Sequence, residues 1–362
     1  MYTLEEKICI LLGEYNIPST KFFHLWNLFE GADDFVLNFS QSEQVKTLLG
    51  NSYSKLKSEI KKQSFDKIIN EMNECGVVAV TWFSSDYPAQ LRDISDPPYV
   101  LFCKGNVSLF ETDCLAVIGT RKVSSYGRRI ATDFTKVLSE YFTIVSGLAY
   151  GVDSIAHQTT LDEDCSTIAV LGSGVLNVYP AAHQGLADRI VQNGGLLVSE
   201  YGLHAEPLAF HFPHRNRIVS GLSKGVLVCQ APAKSGTITT VDLALDQGKD
   251  IFVVPGEIYD YGFSGSNRLI KTVQSACVTT PRDIVDYYGL DRKAVAKQSY
   301  QISIEEQAVV NALSCGQLSF DELIASTGIA PADLNYMLAN LEIRSIIVRL
   351  PGNLYRLYGG IE

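Results

Sequence analysis

The 362-residue chain has no apolar run approaching the roughly 20 residues that a membrane-spanning helix needs, so no membrane partner is expected. Its start, Met1-Tyr2-Thr3-Leu4-Glu5-Glu6-Lys7, has no cationic region followed by an apolar one. No secretory signal is read there, and a cytoplasmic location is expected. The eight cysteines, at positions 9, 75, 103, 114, 165, 229, 277 and 315, never form a C-x-x-C. Several sit inside apolar strand-like runs and read as small buried hydrophobes, not as disulfides or zinc ligands. There is no Ser–His–Asp order, no pair of catalytic carboxylates and no metal-spaced histidine cluster; no catalytic residue, metal site or cofactor is assigned. Basic residues are the minority, 30 against 40 acidic ones, for a net charge of −10. That balance excludes a protein that coats nucleic acid indiscriminately. Residues 114–289 are the nearly neutral part, with 14 basic and 16 acidic side chains, so a confined cationic groove remains open there.

What is present is the composition of a globular chain, 46% apolar and 19% charged, at a length that suits two or three domains. Residues 1–74 carry apolar side chains at helical spacing (Ile8, Leu11, Leu12, then Phe22, Phe23, Leu25, Trp26, Leu28, Phe29) and are expected to form a helical domain. Their lysines 55, 57, 61, 62 and 67 are interspersed with acids, which suits a solvated face better than a DNA contact. Residues 75–113 join the strand-like VVAVTWF to a Pro-rich stretch and read as a connection. From Cys114 a strand–loop–helix unit recurs, with strands at 114–119, 142–147, 167–172, 195–200, 225–230, 250–256 and 276–280. Near-continuous apolar strands alternating with helices specify a parallel sheet covered on both faces, over 114–289. Residues 290–303 read as a linker. In 304–362, three short helices (304–314, 319–326, 331–342) and a strand–turn–strand suggest a winged helix. Its third helix carries no Lys or Arg before Arg344, which favours protein contact or dimer support over groove reading.

Ligands of such sheets bind at the carboxyl ends of the strands. Glycine, serine and cations gather at those ends: Gly119-Thr120-Arg121-Lys122, Ser146-Gly147, Gly172-Ser173-Gly174, Ser199-Glu200 and Lys234-Ser235-Gly236-Thr237. Phe212–Thr237 is the densest stretch, with a Pro-led turn, His214-Arg215-Asn216-Arg217, on one side of a strand and the Lys234 loop on the other. Arg215 and Arg217 are read there as phosphate clamps, Asn216 as a loop-orienting residue, and Arg121 and Lys234 as cations from neighbouring loops. A pair of solvated loops is the alternative. Asp153 and His157, at i and i+4, are either a ligand-contacting or acid–base pair or structural supports. Asn177 at the third glycine of a dinucleotide fingerprint argues against an NAD site, and Val228 and Ala233 at the Walker glycine positions argue against a P-loop.

These motifs together resemble the DNA-processing protein A (DprA, or Smf) family. The matching pieces are VIGTRKVSSYG (117–127), SGLAYGVDSIAH (146–157), TIAVLGSGVLNVYP (167–180), LLVSEYG (196–202), FPHRNRIVSGLS (212–223), KSGTITT (234–240), VVPG (253–256) and GSNRLI (265–270). The resemblance implies an α/β fold: an extended Rossmann-like, doubly wound parallel sheet with an amino-terminal helical domain of the SAM or helix-hairpin kind and a carboxyl-terminal winged-helix-like domain. It implies a non-enzymatic, homodimeric recombination mediator that binds single-stranded DNA, protects incoming strands in natural transformation and helps load the RecA recombinase. The implied DNA-binding set is Gly119, Arg121, Ser146, Gly147, Arg215, Asn216, Arg217, Lys234, Ser235 and Gly236. Leu176 and Gln230 stand where the family usually has Asp and Glu, and Asn16-Ile17-Pro18-Ser19 stands where some relatives have a Gly-rich hairpin. The alternative is a nucleotide-processing hydrolase of the lysine-decarboxylase-like Rossmann group. In that group's PGGxGTxxE run Thr240 occupies the glutamate position, so the general acid–base group is missing.

Overall fold

Nine strands make the main sheet: β1 (Val77–Thr81), β2 (Val100–Gly105), β3 (Cys114–Gly119), β4 (Thr143–Ser146), β5 (Thr167–Val170), β6 (Leu196–Ser199), β7 (Gly225–Gln230), β8 (Asp250–Val253) and β9 (Ala276–Cys277). The computed structural model describes residues 2–62, 65–272, 275–290, 303–314, 316–343, 346–350 and 353–357. The strand order is β1-β2-β6-β5-β4-β3-β7-β8-β9. All pairings from β6 to β9 are parallel, and β2 joins β6 antiparallel. Strands β5, β6 and β7 are buried along their whole length, as apolar strands covered by helices on both faces must be. The doubly wound α/β architecture is as expected.

Residues 75–113 do more than connect. The hairpin β1–β2, paired from Val77↔Lys104 to Thr81↔Val100, adds two strands to one edge of the sheet. Val78 on the outermost strand stays 42% exposed, as an edge position allows. The helices of residues 1–74 share a core with this end of the sheet, in which Phe22, Leu25, Phe35 and Met72 are buried with Tyr99, Phe102 and Leu197. Phe22 stacks on Tyr99 with ring centroids 4.0 Å apart, and the Tyr99 hydroxyl donates to the Ile17 carbonyl at 2.8 Å. Gly13 is held so closely against Val100 that a Cβ there would collide with it and crowd the Phe102 ring. Residues Met1–Asp291 accordingly form one compact unit.

Arg292–Glu362 form the other unit. Helices Ile304–Leu313, Phe320–Thr327 and Pro331–Ile343 pack with a three-stranded antiparallel sheet of β10 (Leu318–Ser319), β12 (Leu354–Leu357) and β11 (Ile347–Leu350), in that order. Val309, Leu313, Leu323, Leu334, Leu338, Leu341, Ile347 and Tyr355 form its core. Capping boxes, Ser303 with Glu306 and Ser319 with Glu322, start the first two helices. The arrangement is that of a winged helix. The linker read at 290–303 lies outside the described residues except at its ends, as do Arg344 and the Pro351-Gly352 tip of the wing.

Candidate nucleic-acid interface

The sheet order reverses at β3, which has β4 on one side and β7 on the other, so the crevice of the fold opens at the carboxyl ends of β3 and β7. The Thr120 N–H donates to the Gln230 carbonyl at 2.8 Å and ties the two strand ends together. The Gln230 side-chain oxygen accepts from the Ser124 N–H (3.0 Å) and lies 3.2 Å from its hydroxyl, while Ser124 in turn caps helix Ser125–Leu138 by accepting from the Gly127 N–H. A neutral amide does this at a position only 1% exposed, without burying a charge beside the crevice. Gly119 ends β3, and the loop after it lifts Arg121 and Lys122 into solvent, where neither has an ion partner among the described residues.

At the end of β4 the chain is held from within. Ser146 is fully buried and its hydroxyl donates to the Val117 carbonyl at 2.7 Å. The Asp153 carboxylate accepts from the N–H groups of Gly147 (3.2 Å) and Ala149 (3.4 Å), which fixes the intervening Leu148 at φ 56°, a left-handed conformation that opposes a leucine side chain. Burial pushes the Asp153 carboxyl up, against the pull of Arg215 and these amides. Burial, with the nearby Arg215 charge, pushes His157 down to about 3, so its ring is neutral; its Nδ1 lies 2.8 Å from the Thr167 hydroxyl. Asp153 is a support for the loop, and His157 is a support for the adjoining strands through Thr167, whose hydroxyl donates to the Ile144 carbonyl at 2.6 Å.

The Phe212 segment, read as a Pro-led turn, is already helical: the helix runs His211–Gly221. Pro213 falls in its first turn, where a backbone N–H has no intrahelical partner and its loss is harmless. The helix turns both arginines inward. Arg215, 3% exposed, donates to the carbonyls of Gly147 (2.7 Å) and Val170 and is attracted by Asp153. Burial pulls its pKa down to about 10, which leaves it a cation at neutral pH. A Cβ at Gly147 would run into this guanidinium, so glycine is needed there for packing. Arg217, 5% exposed, pairs with Glu200 and with Asp96 (3.0 Å). Both guanidiniums are turned inward, Arg215 onto carbonyls and Arg217 onto carboxylates, with Arg217 Nη1 buried without a hydrogen-bond partner, so neither is presented at the surface as a phosphate clamp. Asn216 is half-buried and receives the Arg215 Nε–H at 3.2 Å.

Beyond β7, Lys234 is exposed without an ion partner among the described residues, Ser235 stands at the N-cap, and Gly236 opens helix Gly236–Asp246 in open space. The Ser235 side chain caps no backbone group, and its hydroxyl is buried without a partner. This helix packs along helix His211–Gly221. The free N–H groups at its start, beside a lysine, can hold an anion. The structure thus gathers Gly147 with Arg215 and brings Arg121 within 5.8 Å of the Phe212 ring. Lys234, Ser235 and Gly236 stand at the next strand end.

Aromatic side chains complete this edge, and motif reading passed over most of them. Tyr150 is 49% exposed, Tyr179 45% and Phe210 68%. Tyr179 and Phe212 lie 5.4 Å apart, and Tyr150 stands edge-on to His183 at 4.8 Å. The sequence signal was an aromatic beside a strand-end glycine or proline, as in Tyr150-Gly151, Tyr179-Pro180 and Phe212-Pro213. Exposed rings interleaved with free cations suit an unpaired polynucleotide, whose bases stack while its phosphates are neutralised.

Comparison with known proteins shows the family of the chain. Residues 78–289 match the family described as DNA recombination-mediator protein A, and residues 296–353 match the DprA winged helix domain. Protein Smf of Escherichia coli is 38% identical over 272 residues, covering 74% of this chain and 71% of its own length. The chain belongs to the DprA/Smf family. The DNA processing protein DprA of Streptococcus pneumoniae is 41% identical over 199 residues, 55% of this chain and 70% of the relative. The X-ray structure of DNA processing protein A from Streptococcus pneumoniae superposes with a TM-score of 0.67 at 31% identity, over 79% of this chain and 98% of that one. A structure of DNA processing protein A from Helicobacter pylori, described for its single-stranded DNA binding mode, gives 0.54 at 29% identity, over 59% of this chain and 95% of that one. As a DprA/Smf protein, the chain falls within a family of DNA recombination mediators. Among the described residues, no helix is long and apolar enough to cross a membrane.

Proposed function

We propose that the carboxyl edge of the parallel sheet binds single-stranded DNA and that the protein is a non-enzymatic recombination mediator. In this role it protects incoming strands during natural transformation and helps load RecA, as a homodimer in the cytoplasm. The observation that carries the reading is the coincidence, at the β3/β7 switch point, of unpaired exposed cations with exposed aromatic rings, while the acid–base candidates Asp153 and His157 are buried, one holding the loop after β4 and the other bonded to Thr167 of β5. Arg121, Lys122, Lys234 and the start of helix Gly236–Asp246 receive phosphates; Phe212 and Tyr179 receive bases. Gly119, Ser146, Gly147, Arg215, Asn216 and Arg217 set the shape of this surface and contact the strand through backbone and amide groups. Thr240, at the hydrolase glutamate position, is 4% exposed and hydrogen-bonded to the Gly236 carbonyl at 3.2 Å, and it offers no acid–base group.

Fluorescence anisotropy with an oligothymidylate and a duplex of equal length tests the reading over a range of salt. The wild type should favour the single strand. Arg121→Ala with Lys234→Ala should keep the wild-type melting temperature and make the slope of log K against log salt shallower by about 0.7 per lost phosphate contact. An unchanged slope in the double variant would sink the proposed surface, and release of base from nucleoside monophosphates would favour the hydrolase.

A further inference from the structure

The loop after β4, residues 147–151, is restrained from three sides, and Tyr150 is the residue it exposes. From inside, Asp153 accepts the Gly147 and Ala149 N–H groups, and Arg215 donates to the Gly147 carbonyl. From the β3 side, the Thr120 carbonyl accepts the Val152 N–H at 3.3 Å. Gly151, at φ 83°, lies so close there that a Cβ would meet the Thr120 carbonyl oxygen at 2.2 Å and the Arg121 backbone at 2.8 Å. Glycine alone suits both the dihedral and the approach. From the β5 side, His183 Nδ1 donates to the Leu148 carbonyl at 2.8 Å, while the buried Leu148 side chain joins a core with Leu171 and Ala187. A carbonyl only accepts, so this bond fixes a proton on Nδ1.

Tyr150 therefore stands on a held backbone, with the Arg121 loop on one side and His183 on the other. Its ring is 49% exposed and meets the His183 ring edge-on, with centroids 4.8 Å apart and planes at 68°. Such a contact fixes the ring while leaving part of its surface to solvent. Arg121 has a second ring, Phe212, 5.8 Å from its guanidinium. The cation thus has ring-bearing neighbours in both the β4 loop and helix His211–Gly221. A ring that is already held loses less side-chain freedom when a base stacks on it, and that saving strengthens binding.

We propose that Tyr150 stacks a base of the strand whose phosphate Arg121 holds, and that His183 is the positioning residue that presents the Tyr150 ring. The proposal rests on the DNA-binding reading above and adds to it a third ring and the group that places it. His183 works in two ways: its Nδ1–H holds the Leu148 carbonyl, and its ring edge packs on Tyr150.

The test uses the full chain and fluorescence anisotropy with oligothymidylate, beside an oligothymidylate carrying one central 2-aminopurine, a base whose emission falls when it stacks. Tyr150→Leu, at an exposed position, should keep the wild-type melting temperature, bind oligothymidylate about tenfold more weakly and remove part of the quenching. His183→Asn keeps a donor for the Leu148 carbonyl and removes the ring. It should melt as the wild type does and still weaken binding about fivefold, with less quenching. The double variant should bind no more weakly than Tyr150→Leu, because His183 acts through Tyr150. Fully additive losses, or wild-type binding and quenching in His183→Asn, would overturn the positioning role. Wild-type affinity and quenching in Tyr150→Leu would overturn the stacking assignment and leave the DNA-binding reading intact. No binding of oligothymidylate by the wild type would overturn both, so the two failures are distinct results.

Discussion

The Arg215 guanidinium donates to the Gly147 carbonyl at 2.7 Å from a residue only 3% exposed, so this arginine braces the end of β4 from inside. Arg215→Lys keeps a charge but loses the planar fork that reaches both Gly147 and Val170. It should destabilise the fold by about 3 kcal/mol, since a buried charged group loses its partners and Asp153 loses its counter-charge. Urea unfolding measures this, and a wild-type midpoint would contradict the bracing role.

Exposed rings should matter through bases and not through folding. Tyr179→Ala should leave the unfolding midpoint unchanged within about 0.5 kcal/mol. It should weaken oligonucleotide binding by about 1–3 kcal/mol per stacked base. An abasic oligonucleotide should show no difference between variant and wild type; an equal loss on abasic DNA would assign the effect to the backbone instead.

His214 sets a pH dependence of stability. Hydrogen bonding to Asp96 and Glu200 raises its pKa to about 9, against burial and the Arg217 charge. Tyr201 also faces the ring, 3.2 Å from Nδ1. Because the folded pKa lies above the unfolded value near 6.5, the contribution is complete below about pH 6.5 and is lost as pH rises through about 9. The side chain is 41% exposed, so solvent screening holds the effect to about 1 kcal/mol or less. Thermal melts between pH 6 and 10 should fall for the wild type and flatten in His214→Gln by that amount.

The amino-terminal helices should be inseparable from the sheet. Removing residues 1–74 uncovers Tyr99, Val100, Phe102, Leu171, Leu197 and Leu203, which share their core. It also breaks the hydrogen bonds from the Gly202 and Leu203 N–H groups to Asn16 and Glu14. The truncated chain should aggregate or bind a hydrophobic dye, and a soluble, cooperatively melting product would show that the sheet unit stands alone.

Local pattern determined much of this protein. Apolar runs such as Leu115–Ile118 within β3, each followed by glycine or serine and then a helical period, dictate the parallel sheet and place the ligand edge, because strand burial and turn chemistry are properties of a few consecutive residues. The same logic found Arg121 and Lys234, whose exposure follows from sitting in short loops. It read the β1–β2 hairpin as a connection, because the partner that makes β2 a strand, β6, lies far along the chain. It also read Arg215 and Arg217 as phosphate clamps. Only the tertiary structure could turn them inward, since the carbonyls of Gly147 and Val170 and the carboxylates of Asp153, Asp96 and Glu200 come from separate segments. A guanidinium looks the same in sequence whether it meets solvent or a buried acceptor, and the fold alone decides which.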